Sequence, residues 1–203
     1  MKKTNRQIQK EQTKDLLTKT AYQIFSERGI LNTRISDIAQ AANVSHGTVF
    51  LHFQSQEELI TEVVGMYCGK IAARTHELAD SNASLREMLA AHLAGIEEYE
   101  PLYIWLVIEN RLLPLSARDA WAQVQSAVSF HFSQAVEREK KAGTSVSVPT
   151  YLLFNMWIGF VHYYFANSDL FAPDGKIIER YGELLITNYL QMILRNSNDE
   201  RKE

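Results

Sequence analysis

The chain has 203 residues, 46% of them hydrophobic, enough to bury a real core in one large or two small domains. Charged residues make up 22%, prolines number four, and long stretches are rich in Ala, Leu, Glu and Gln, which excludes a disordered tail and predicts an all-α protein. The net charge of −3 conceals an asymmetry: residues 1–56 carry eight Lys/Arg and four Asp/Glu, whereas residues 57–203 carry thirteen and twenty, so a polyanion-facing module is expected ahead of an acidic body.

From about Lys10 to Arg28, Leu16, Leu17, Ala21, Ile24 and Phe25 recur at helical spacing, and Gly29 follows where a left-handed cap belongs. A short helix over about Ile35 to Ala42 places Ile35, Ile38, Ala39 and Ala42 on one face and ends at Asn43, a residue that tolerates positive φ. Ser45 is suited to cap a further short helix reaching Phe53. Ser55-Gln56-Glu57-Glu58 reads as a capping box ahead of a long helix to about Ala79.

Beyond Asp80-Ser81-Asn82, helical patterns cover roughly Ser84–Glu98, Pro101–Leu112, Ser116–Lys141, Pro149–Ala166 and Pro173–Arg195, about nine helices in all. Prolines 101, 149 and 173 are expected at helix starts, where a missing N–H costs nothing. The tail Asn196–Glu203 is polar and expected to fray.

The segment Ser36–Phe53, "SDIAQAANVSHGTVFLHF", is helix, tight turn, helix, preceded by a helix and joined to the basic end: the anatomy of a helix-turn-helix DNA reader. Ala39 leaves room for close packing, with Ile38, Val44, Val49 and Phe53 as apolar partners. His46, Gly47, Thr48, Phe50, Leu51 and His52 are poorly explained by a core and are expected to face outward. Small, hydroxyl, aromatic and imidazole groups suit a major groove, where Thr48 can reach a base edge or phosphate and Phe50 a thymine methyl.

Residues about 10 to 60 resemble the DNA-binding domain of tetracycline-repressor-type regulators, the TetR family. The resemblance rests on Thr33, Asp37-Ile38-Ala39, Ala42, Val44-Ser45, Gly47-Thr48, the aromatic Phe50, His52-Phe53, Ser55 and Glu57-Glu58-Leu59. It implies that His46, Gly47, Thr48, Phe50 and His52 form the groove-facing surface, with Thr33, Arg34 and Ser36 approaching the DNA backbone from the preceding helix; Ser45, Leu51 and Gln56 are further DNA-binding candidates. Departures from the pattern are Asn43 for glycine, Phe50 for tyrosine, and Gln56 for a lysine at the DNA-facing start of the next helix. Lys2, Lys3, Arg6, Lys10 and Lys14 are expected to restore the lost phosphate affinity.

The expected division is therefore a helix-turn-helix domain over 1–56 and a larger helical ligand-binding and dimerisation bundle over 57–203. Tyr151–Ala166, "YLLFNMWIGFVHYYFA", is apolar on nearly every face and needs partners on two sides, with Gly159 and Gly182 small enough to admit close helix approach. The resemblance implies a four-helix homodimer interface through residues about 150–195 and a pocket for a small-molecule effector in this half. Tyr103, Trp105, Trp121, Phe130, Phe154 and Trp157 are candidates for its apolar wall; Glu109, Arg111 and His162, with Asn110 and Asn155, are candidate polar anchors. The aromatic content favours a hydrophobic effector, and family analogy favours repression through a palindromic double-stranded operator.

Cys68 stands alone, so neither an internal disulfide nor a cysteine-rich zinc site is expected. No apolar run reaches the ~18 residues of a membrane span, and Met-Lys-Lys-Thr leads into polar residues, so a cytoplasmic protein without a membrane partner is expected. The six histidines lack zinc-helix spacing, and no phosphate-cradling loop or nucleophile elbow is present; no enzyme, metal or cofactor is expected. A helical protein-binding scaffold without DNA affinity, or a helical enzyme with an unrecognised site, remain the alternatives.

Overall fold

The computed structural model describes residues 4–79, 82–144 and 148–194. Among the described residues there is no strand. The helices are α1 (Asn5–Arg28), α2 (Ile35–Ala41), α3 (His46–Phe50), α4 (Gln56–Leu78), α5 (Leu85–Glu97), α6 (Glu100–Glu109), α7 (Leu115–Lys141), α8 (Thr150–Ala166), α9 (Ser168–Phe171) and α10 (Ile177–Ile193). A single 3-10 turn, Asn110–Leu112, follows α6.

The differences from the sequence pattern have local causes. α1 starts a turn and more before Lys10 because Thr4 and Gln7 cap it reciprocally: the Gln7 N–H donates to the Thr4 hydroxyl (3.3 Å) and the Thr4 N–H to the Gln7 amide oxygen (2.8 Å). The apolar pattern could not mark those polar first turns. α9 is an additional one-turn helix, and Pro173 lies outside any helix. The last helix begins instead at Ile177, where the buried Glu100 carboxylate accepts the N–H groups of Ile177 (2.5 Å) and Ile178 (3.3 Å). A cap supplied from 77 residues away thus overrides the proline signal. The expected fray at Asn196–Glu203 lies outside the described residues.

The chain forms two compact units, residues 1–68 with 101–121, and residues 69–100 with 122–203. The sequence suggests a division after residue 56, whereas the compact units divide the chain within α4, after residue 68. α4 and α7 each pass from one unit into the other, and α6 packs with the first unit.

The first unit buries Leu17, Ala21 and Phe25 of α1, Ile38 of α2, Val49 and Phe53 at α3, Leu59 and Val63 of α4, and Leu106 of α6. Tyr22 and Tyr67 stack with centroids 3.9 Å apart. Cys68 is buried among them, and loss of water pushes its thiol up to about 12, leaving it protonated and unreactive. The second unit packs α10 on α5 and α8. Its core is aromatic: Trp157 lies 5.2 Å from Tyr189, whose hydroxyl donates to the Leu153 carbonyl (2.6 Å). Buried aromatic rings supply large apolar area while their polar atoms find partners.

Candidate nucleic-acid interface

The α2–α3 corner is closed by backbone geometry. Asn43 holds φ at 53°, and the N–H of Val44 donates to the Ala39 carbonyl (3.0 Å), turning the chain sharply after α2. Ser45 then caps α3 by accepting the Thr48 N–H at 3.1 Å, and the two hydroxyls share a hydrogen bond of 2.8 Å. At the other end of α2, Asp37 reaches back to the Arg34 N–H (3.0 Å) and pairs with Arg28 at 3.5 Å.

This corner directs α3 outward. Val49 and Phe53 fill the core, whereas Ser45, His46 and Gly47 are exposed, Phe50 is 43% exposed and Leu51 77%. Thr48 and His52 are half-buried. The His46 ring meets Phe50 edge-on at 5.0 Å, so the two rings form one raised feature. On the preceding helix, Arg34 and Ser36 are exposed.

A groove of about 350 Å³ separates α3 from the basic face of α1, lined by Arg6, Gln9, Lys10 and Thr13 opposite Thr48, Leu51 and His52. Nδ1 of His52 is enclosed and has no hydrogen-bond partner. Burial first, then the positive charges of Lys10 and Lys14, hold this imidazole below its ordinary pKa. Lys10 and Arg6 stay exposed on α1. Lys14 is engaged elsewhere, 2.8 Å from Glu62 and above the Phe53 ring, and Lys2 and Lys3 lie outside the described residues.

Two expected contact residues serve the scaffold. Thr33 is 1% exposed, and its hydroxyl donates to the Gly29 carbonyl at 2.7 Å, so it fixes the α1–α2 connection instead of facing DNA. Gln56 donates its amide N–H to the Thr33 carbonyl (2.8 Å), tying the start of α4 to the same connection. Sequence reasoning missed the group that completes it. The buried Glu109 carboxylate accepts the N–H groups of Ile30 (2.9 Å) and Leu31 (3.1 Å), and the Trp105 indole donates to the Ser26 carbonyl at 3.2 Å.

Glu109 and Trp105, expected at an effector site, are thus engaged with the end of α1 and the α1–α2 connection. Tyr103 and Trp121 are buried against each other in the same unit, centroids 4.9 Å apart, and Arg111 is exposed. The other candidates belong to the second unit. Trp157 is fully buried and donates to Nδ1 of His92 (3.0 Å); burial and the nearby His162 lower His92 to about 3, and burial lowers His162 to about 4. Phe154 packs on Phe132 at 5.5 Å. Phe130 is 61% exposed between two open grooves along α7, so it is surface and not core.

On α8 and α10, Leu152, Met156, Tyr163, Leu184 and Met192 remain exposed beside the buried set, and Gly159 faces open space. Gly182 does not share that role: it is buried, and a Cβ there would touch Leu93 of α5 at 3.4 Å. No helix among the described residues is long and apolar enough to cross a membrane.

Residues 17–63 match the family of bacterial regulatory proteins described as the tetR family. The chain is 31% identical over 93 residues to the HTH-type transcriptional repressor KstR2 of Mycobacterium tuberculosis, a stretch covering 45% of this chain and 46% of that protein. It thus spans about half the length of that curated relative. Over most of its length it superposes on a TetR-family regulator from Agrobacterium tumefaciens (TM-score 0.73, 18% identity, 92% of this chain and 100% of that one). It also superposes on FadR from Bacillus subtilis, solved with stearoyl-CoA (TM-score 0.70, 17% identity, 87% and 97%). The match to the tetR family covers residues 17–63, and over most of its length the chain shares an all-helical fold with these two solved regulators.

Proposed function

We propose that this protein is a ligand-responsive transcriptional repressor that binds a palindromic operator as a homodimer and is released by a small hydrophobic molecule. One observation carries the reading. A five-residue helix, sharply turned and capped, exposes His46, Gly47, Phe50 and Leu51, which no core requirement explains, beside a groove lined by Arg6 and Lys10. Such a face enters the major groove while the basic wall meets phosphates.

Dimerisation through residues about 150–195 uses the apolar face of α8 and α10 left exposed in a single chain. Two readers related by a twofold axis reach half-sites about 34–36 Å apart, so the operator is a palindrome. The repressor name of KstR2 and the stearoyl-CoA bound to FadR support, by likeness, repression relieved by an apolar ligand. Effector and DNA then weaken each other's binding by the same factor, typically ~1–3 kcal/mol of coupling.

The test is fluorescence anisotropy with the promoter of the protein's own gene, as a function of salt, with sedimentation to count subunits. A dimer neutralising ~6–10 phosphates loses ~10³–10⁵-fold affinity between about 50 and 200 mM salt. A monomer, or a flat salt profile without promoter preference, overturns the reading in favour of a protein-binding scaffold.

A further inference from the structure

His76, near the end of α4, and His131, within α7, lie 55 residues apart in sequence, yet Nδ1 of the first is 2.9 Å from Nε2 of the second. Their ring centroids are 5.0 Å apart with planes tilted 46°. Both residues belong to the second unit, distant in sequence from the reader helix. His76 is exposed and His131 half-buried, with Phe130 edge-on to its ring at 5.4 Å.

Two imidazole nitrogens bound to one zinc-class ion at about 2.0–2.1 Å, with bond angles near those of square-planar to tetrahedral geometry, stand about 2.9–3.4 Å apart. The observed spacing falls at the lower edge of that range. We propose that His76 and His131 form a two-histidine site for a divalent transition-metal ion of the zinc, nickel or copper class, with water completing the coordination. Imidazole donors suit these ions and not calcium or magnesium, which take oxygen ligands.

In the metal-free pair one ring donates a proton to the other. Binding an ion at both nitrogens requires only that this proton move to the remaining nitrogen of its own ring, so no net proton need be lost. Among the described residues no cluster of three or more His, Cys, Asp or Glu surrounds the pair, so the ion is exchangeable. By bridging His76 to His131 it staples α4 to α7 at this point.

The full-length, tag-free chain, stripped with chelator, is titrated with ZnSO₄ and with NiCl₂ by calorimetry and followed by thermal melting. One ion per chain and a raised melting temperature are expected. His76→Ala and His131→Ala should each weaken binding about tenfold or more and abolish the melting shift, while His46→Ala retains both. His131→Gln preserves a hydrogen-bond partner for His76 but not an imidazole ligand; it should melt like the metal-free wild type and ignore the metal. No saturable binding by the wild type, or binding unchanged in both alanine variants, overturns the proposal.

Discussion

Gly29 and Glu109 are fitted to one another: a Cβ on the glycine would lie 2.8 Å from one carboxylate oxygen of the glutamate, while the other oxygen accepts the N–H groups of Ile30 and Leu31. Gly29 also holds φ 97° and ψ 157°, a region open essentially to glycine alone. Gly29→Ala therefore combines backbone strain with a clash against Glu109 and against Trp105 at 3.1 Å. It should destabilise the protein by about 2–4 kcal/mol in urea unfolding.

Glu109→Ala leaves one buried and one half-buried N–H donor without their acceptor and should cost about 2–4 kcal/mol, whereas Glu109→Gln keeps one acceptor and should cost less. If the reader depends on this support, Glu109→Ala also lowers promoter affinity more than its loss of folded protein explains. Equal stability of the two variants would show that the carboxylate does not hold the connection.

Within the interface, the two walls of the α1–α3 groove should separate by effect. On the proposed function Lys10→Ala removes a positive charge from the groove wall and should weaken all duplexes alike, reducing the salt slope by about one. On the proposed function Gly47→Ala and Thr48→Ala alter the face offered to base edges and should cost about 1–3 kcal/mol on the operator while changing sequence preference. Gly47 tolerates a Cβ in the free protein, where its nearest neighbour would be the Ser45 hydroxyl at 3.8 Å, so its effect on folding should be small. Thr33→Ala, by contrast, should register in stability because its hydroxyl is spent on Gly29.

The α2–α3 corner was legible in the sequence because its signals are local. Asn43 at positive φ and Ser45 as a cap are read from single residues and observed as such. Three- and four-residue periodicity likewise located every long helix. What stayed hidden depends on contacts between distant segments: Glu100 capping α10, Glu109 holding Ile30, and His76 meeting His131. Thr33, Glu109 and Trp105 illustrate the limit, since polar or aromatic character alone cannot tell a ligand contact from a structural one.

Buried His92 and half-buried His162 set a direction for acid sensitivity. His92 is lowered to about 3 and His162 to about 4, chiefly by burial, from an ordinary 6.5. The folded chain therefore binds fewer protons than the unfolded one, and the contribution is full above pH 6.5 and lost as pH falls toward 4 and then 3. Glu100 runs the opposite way: burial raises its pKa despite the two N–H groups it accepts, so its share is full below 4.5 and declines as pH rises above that value. With both histidines acting together, the urea midpoint should fall between pH 7 and pH 5. His92→Gln, which keeps an acceptor for the Trp157 indole, should flatten that fall. A wild-type midpoint independent of pH over this range contradicts the assignment of two neutral imidazoles at His92 and His162.

The crossing of α4 and α5 offers the most stringent packing test. A Cβ on Gly95 would lie 2.2 Å from the Thr75 hydroxyl oxygen, 3.1 Å from the Ile71 carbonyl oxygen and 3.2 Å from the Thr75 nitrogen. The first obstacle is a side chain whose buried hydroxyl has no hydrogen-bond partner, and the other two are backbone. Gly95→Ala should therefore destabilise by about 2–4 kcal/mol, since overpacking forces the helices apart. Thr75→Ala removes the nearest atom and an unsatisfied polar group, so alone it should cost little. Combined, the two changes should recover about 1–2 kcal/mol relative to Gly95→Ala, but not all of it, because the backbone contacts persist. Additive effects in the double variant would mean that α4 and α5 yield elsewhere along the crossing, and full recovery would mean that the hydroxyl was the whole obstacle.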